Sequence, residues 1–385
     1  MIPLSVPHIS GKEWEYVKEC LDTEWISSVG PYVDLFEERI KNYTGASFAV
    51  ACVNGSAALH TALLVLGVQP GEEVIVPTLT FIAPVNAVRY VQAEPVFMDC
   101  DDFFNIDPEK TIDFIQNETE YKNGSTINKK TGKRIAAIIP VHVFGNAVDL
   151  SRLFRICRER SIAIIEDASE SLGTFYRSGP LSSAHTGTIG HMGCFSFNGN
   201  KIITTGGGGM IVTNSPDLAE KAKHLTTQAK TDPVYYIHDQ IGYNYRLTNI
   251  QAALGVAQME QLDTYKKIKK VNYNAYKEQI DRIDGLSLSP TPPYADNNHW
   301  MYSLRIEESI YGKNRDGLLN HLTKNQIQSR PVWNLNHTQK PYRNCQPYRI
   351  EKAVHLFNIT LNIPCSVGLK EEEMFSVIDA LSSKG

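Results

Sequence analysis

Five apolar, β-rich runs, at residues 49–53, 73–76, 95–98, 135–141 and 162–165, recur through the chain with helix-length stretches between them. That alternation predicts an α/β fold, with a mainly parallel sheet covered by helices on both faces. At 385 residues, 42% of them hydrophobic, the chain is long enough for two packed domains and a deep site. A long, largely polar helical pattern over residues 248–281 is followed by a connector carrying Pro290, Pro292 and Pro293. These features predict a large domain over residues 1–255 and a smaller C-terminal one over 256–385. Residues 117–134, with Lys129, Lys130, Lys133 and Arg134, are expected to form an exposed loop or insertion.

A formal net charge of -4 without a long basic tract argues for small-molecule partners, and against nucleic acid or an anionic membrane. No apolar run reaches the roughly 18–20 residues that span a bilayer, and residues 1–5 do not open a charged and then apolar leader, so a cytoplasmic protein is expected. Seven cysteines without a C-x-x-C pair are expected to be reduced, mostly core thiols. Eleven dispersed histidines show no metal-ligand spacing, and no metal site is expected.

Lys201 lies in FSFNGNK (195–201), shortly before four glycines at 206–209, and follows the acidic pair Glu166-Asp167 at the end of an apolar run. An unprotonated lysine amine forms a Schiff base with an aldehyde. An aspartate at the end of a buried strand can keep a pyridine nitrogen protonated, which makes the ring an electron sink. Asn54-Gly55-Ser56 reads as a strand-to-helix turn, either a phosphate cradle or an ordinary helix cap.

Six ordered motifs, NGSAAL (54–59), PTLTF (77–81), EDASES (166–171), FSFNGNK (195–201), TGGGGM (205–210) and GYNYRLTNIQAAL (242–254), together resemble the nucleotide-sugar aminotransferases of the DegT/DnrJ/EryC1/StrS family. The resemblance spans nearly the whole chain. It implies a fold-type I enzyme dependent on pyridoxal 5'-phosphate. Residues 2–7 (IPLSVP) and 25–30 (WISSVG) look most like the branch that aminates UDP-linked 4-keto-6-deoxy sugars for legionaminic acid and bacillosamine.

Carried over by motif, the resemblance makes Lys201 the lysine that bonds the cofactor and moves protons, and Asp167 the partner of the pyridinium nitrogen. It sets Glu170 near the cofactor's phenolic oxygen, where relatives usually have Gln or His. Ser56, Ala57 and Ser196 become phosphate binders, and Phe81 either stacks on the ring or is core. Asn244 would reach the phosphate of a neighbouring subunit, which implies a homodimer with shared sites; alternatively it caps the helix beginning near Thr248. His299, Tyr302 and His337 border the sugar site or pack the interior. The family usually has Gly-Glu-Gly-Gly where this chain has glycine at 206–209, so Gly207 stands in place of a glutamate.

The expected reaction passes an amino group from L-glutamate to C4 of a UDP-linked 2-acetamido-2,6-dideoxy-hexos-4-ulose. A dTDP- or GDP-linked keto sugar is the alternative acceptor; a lyase or a non-catalytic cofactor-binding protein are further readings. A sugar dehydratase of this family would have histidine in place of Lys201.

Overall fold

The computed structural model describes residues 1–232 and 234–383. Its larger sheet draws on β1 (Phe48–Cys52), β2 (Glu73–Pro77), β3 (Glu94–Met98), β4 (Ile135–Ile138), β5 (Ala163–Asp167), β6 (Met192–Ser196) and β7 (Gly209–Thr213). A smaller sheet uses β8 (Leu286–Leu288), β9 (Tyr302–Ile306), β10 (Arg330–Pro331) and β12 (Thr360–Ile363), while β11 (Pro347–Tyr348) returns to the edge of the larger one. The orders are β1-β7-β6-β5-β4-β2-β3-β11 and β8-β9-β12-β10. In the larger sheet β7 runs antiparallel to both neighbours, and the remaining pairs are parallel. The carboxyl ends of β1, β2, β5 and β6 therefore share one edge, where ligands collect in open α/β sheets.

The helices that matter for the site are α1 (Glu13–Asp22), α2 (Pro31–Thr44), α3 (Gly55–Val65), α4 (Asn249–Met259) and α5 (Leu262–Ile280). Successive residues of β2 serve opposite faces of the sheet. Val74 and Val76 pack with Leu59 and Leu63 of α3, whereas Ile75 joins Ile138, Phe114 and Leu153 on the other side. Both faces are thus covered, which is why the strands read as continuous apolar runs. The smaller sheet has its own core around Tyr276, Tyr302, Leu304 and Leu361.

Three segments differ from the sequence expectation. The run at 117–134 is a hairpin, Thr119–Lys122 with Ser125–Asn128, turned by Asn123 and Gly124 at φ 52° and 77°; Asn-Gly favours that two-residue turn. The helical pattern over 248–281 breaks at Glu260-Gln261 into α4 and α5, and residue 255 lies inside α4, which packs on α1 and α2. Strands β6 and β7 add to the five apolar runs, and glycines interrupt their apolar pattern. At Gly193 a β-carbon would stand 2.0 Å from the Gly187 carbonyl oxygen, so close backbone approach selects glycine there. All seven cysteines are buried free thiols. Among the described residues no helix is long and apolar enough to cross a membrane.

Candidate active site

Asp167 ends β5 and Ser196 ends the adjacent parallel strand β6; Lys201 follows in the loop to β7. The Asp167 backbone is fixed on both sides, its N–H donating to Pro140 O at 2.9 Å and its carbonyl accepting His142 N–H at 3.0 Å. Its side-chain Oδ1 accepts the Ser169 N–H at 3.1 Å. Burial pushes this carboxyl above the ordinary aspartate range, opposed by the Ser169 hydrogen bonds and the charges of Lys201 and His142.

The Lys201 side chain is 13% exposed. Nζ lies 4.2 Å from the centre of the Trp300 ring and 3.5 Å from Glu170 Oε1. Trp300 is itself tied to the lysine loop, its Nε1–H donating to Asn200 O at 2.7 Å. Asp167, Glu170, Lys201 and Trp300 line one cavity of about 660 Å³.

The amino end of α3 forms another wall of this cavity. Asn54 caps the helix by accepting the Ala57 N–H at 2.8 Å, so that amide is engaged and Ala57 does not reach the cavity lining. The lining residues at this end are Asn54, Gly55 and Ser56, with Ser196 opposite. A β-carbon on Gly55 would sit 2.9 Å from Ser196 Cβ; glycine keeps that corner open.

The other expected residues divide. Phe81 stands on the rim, 53% exposed, with its ring edge-on to Trp333 at 6.3 Å. Asn244 is exposed, accepts Arg246 Nε–H at 3.1 Å, and lies outside its own chain's cavity. It is not the helix cap, since Thr248 caps α4 in a capping box with Gln251. His299, Tyr302 and His337 also lie outside the cavity. His299 is buried against Tyr273, ring centres 4.4 Å apart. The Tyr302 hydroxyl donates to Lys269 O at 2.7 Å inside the small-sheet core, and His337 Nδ1 pairs with Thr78 Oγ1 at 2.6 Å. Each of the three thus has a partner within its own chain.

Trp300, Trp333 and Arg330, which sequence reasoning passed over, line the cavity. Arg330 is exposed at that wall. The only local signal was tryptophan, an amphipathic residue suited to pocket walls, close to the histidine singled out at 299.

The residues fit pyridoxal phosphate: a buried carboxyl for the ring nitrogen, an amine for the aldehyde, and a capped helix terminus with an open glycine corner for the phosphate. The model of the DegT/DnrJ/EryC1/StrS aminotransferase family matches residues 7–382. A GDP-perosamine synthase of Caulobacter vibrioides is 37% identical, over 99% of this chain and 97% of its own. The putative pyridoxal phosphate-dependent aminotransferase EpsN of Bacillus subtilis is 35% identical, over 99% and 95%. Among solved structures, a DegT DnrJ EryC1 StrS aminotransferase from Brucella abortus superposes with a TM-score of 0.86 at 27% identity, covering 96% of this chain and 94% of that one. Motif order, fold and these likenesses agree, and the chain belongs to the DegT/DnrJ/EryC1/StrS family as a pyridoxal phosphate-dependent aminotransferase.

Proposed function

We propose that the enzyme passes an amino group from L-glutamate to the 4-keto group of a GDP-linked 6-deoxy sugar. The observation that carries this reading is the cavity in which Lys201 and Asp167 meet the α3 terminus, in a chain whose similar relatives include GDP-perosamine synthases. Those names favour GDP over the UDP-linked acceptor that the amino-terminal motifs suggested.

Pyridoxal phosphate, when bound, supplies the electron sink and carries the amino group between the two substrates. Lys201 would bond the cofactor and then, released, move the proton at the reacting carbon. Asp167 would hold the ring nitrogen's proton, and its burial strengthens that charge-assisted hydrogen bond. Ser56, Ser196 and the first turn of α3 would hold the phosphate. Arg330 could take the donor's carboxylate.

The same reading makes the active unit a dimer. Asn244 lies outside its own chain's cavity, which supports a role in a partner's site. Close by, the segment after Lys230–Asp232 exposes Val234, Tyr235, Tyr236 and Ile241, the last 82% exposed, the kind of apolar patch that marks an interface. In this reading residues 1–255 hold the cofactor and residues 256–385 close over it.

The test is purified protein with glutamate and a panel of GDP-, UDP- and dTDP-linked 4-keto sugars, reading 2-oxoglutarate and the mass of the aminated product. The GDP-linked substrate should turn over fastest. Preference for a UDP-linked acceptor would overturn the choice of nucleotide, and no transamination with any of them would overturn the sugar assignment.

A further inference from the structure

Glu170 is buried, and its two oxygens have different partners. Oε2 accepts the Phe144 backbone N–H at 2.8 Å, and Oε1 faces Lys201 Nζ at 3.5 Å. Phe144 holds this donor in a strained backbone, a non-glycine residue at φ 56°. Its ring is kept there by stacking on Trp333 at 4.8 Å and by an edge contact to Phe104 at 5.3 Å. The Glu170 carbonyl in turn accepts Asn298 Nδ2–H at 2.8 Å. Backbone and one oxygen are thus fixed, which leaves Oε1 pointing at the lysine.

The charged groups that act on Glu170 are Lys201 and Asp167. Burial pushes the Glu170 carboxyl up to about 7, and Asp167 pushes the same way; Lys201 and the Phe144 N–H oppose them. A buried ammonium–carboxylate pair has lost the solvation of two charges, a cost that its mutual attraction only partly offsets.

We propose that Glu170 is the proton acceptor and donor for Lys201. One N–H bond of the ammonium breaks, its electron pair stays on nitrogen, and the proton bonds to Glu170 Oε1. The pair stays neutral overall, and no co-reactant is needed. The step produces the free amine that condensation with an aldehyde requires. In reverse, the acid returns the proton when Lys201 is recharged. This role rests on Lys201 as the residue that bonds the cofactor.

Glu170→Gln tests it: the amide keeps the size and can still accept the Phe144 N–H, but cannot take up the proton. In the stripped protein, the rate of cofactor uptake would be followed against pH through the visible absorbance of the linked form. The wild-type uptake rate should titrate with pH, Glu170→Gln should abolish that titration or move it by about one pH unit or more, and uptake should slow on the order of 100-fold. Glu170→His, which also titrates near neutrality, should recover part of the rate with a shifted pH profile, and it carries the test if the Gln variant does not fold. A folded variant with unchanged titration and unchanged uptake overturns the proposal. Borohydride reduction and peptide mass analysis keep the two readings apart. Label on a residue other than Lys201 refutes the lysine assignment, whereas label on Lys201 with an indifferent Glu170→Gln refutes only the role of Glu170.

Discussion

The indole of Trp300 lies against the ammonium of Lys201, Nζ 4.2 Å from the ring centre, and the same indole holds the lysine loop through its hydrogen bond to Asn200 O. A cation over an aromatic face is stabilised by about 0.5–2 kcal/mol, so one side chain both orients the amine and anchors its backbone. Trp300→Phe keeps a ring but removes the N–H. Losing that bond should lower stability by about 1 kcal/mol. Looser presentation of the amine should reduce kcat roughly tenfold, the equivalent of about 1.4 kcal/mol, with KM for glutamate little changed. Thermal melts and steady-state kinetics would check this; unchanged kcat would show that the indole only fills space.

Lys201→Ala should bind cofactor without the yellow colour of the linked form and show essentially no turnover. Asp167→Asn removes the charge and keeps the shape. Losing a hydrogen bond to a charged group costs roughly 1.5–3 kcal/mol, so both half-reactions should slow by at least about tenfold. Rapid-mixing measurements with glutamate on the pyridoxal form, and with keto sugar on the pyridoxamine form, separate the two halves. A defect confined to the sugar half would show that Asp167 acts on that substrate instead.

Much of this machinery was legible along the chain, because Asp167 ends an apolar run and the α3 turn follows another within a few residues of sequence. What was not legible depends on backbone direction and on distant packing. His299 sits at φ 53°, a left-handed residue, and lies buried against Tyr273 while its neighbour Trp300 reaches the cavity. No periodicity in the sequence announces that reversal. Trp333 and Arg330 reach the site only because the smaller sheet packs beside the larger one. Strands β6 and β7 escaped notice for a local reason, since glycines chosen by close backbone contact carry no β-propensity.

Away from the site, Asp99 is placed so that its charge supports the fold. It is fully buried, paired with Lys110 at 2.7 Å, and accepts the backbone N–H groups of Glu351, Lys352 and Ala353 at 2.8–3.0 Å. Burial alone would raise its pKa; the Lys110 bond and the three N–H groups outweigh it, and the net direction is down. A depressed folded-state pKa gives stability that is present above the unfolded value of about 3.9 and is lost as pH falls through the folded value. Asp99→Asn should therefore destabilise by about 3 kcal/mol near neutrality, with the gap to wild type closing below about pH 4. Urea melts across that range would show it; a gap independent of pH would mean that the charge is not the source.

The shared-site dimer makes a prediction that neither chain can satisfy alone. Asn244→Asp would put a carboxylate beside a partner's phosphate, where like charges repel, and Lys201→Ala removes the amine. Each homodimer then has only defective sites. In a mixed dimer with two-fold symmetry of contacts, one site receives both defects and the other receives neither. Mixing the two inactive proteins under conditions that exchange subunits should restore activity, up to about half of wild type in each heterodimer. Exposed Asn244 has a weak structural role in its own chain, a single hydrogen bond to Arg246 at 3.1 Å, so the Asp variant should fold and melt near wild type, within about 0.5 kcal/mol. Full activity of Asn244→Asp alone, or no recovery after exchange demonstrated by mass labelling, would show that each chain completes its own site.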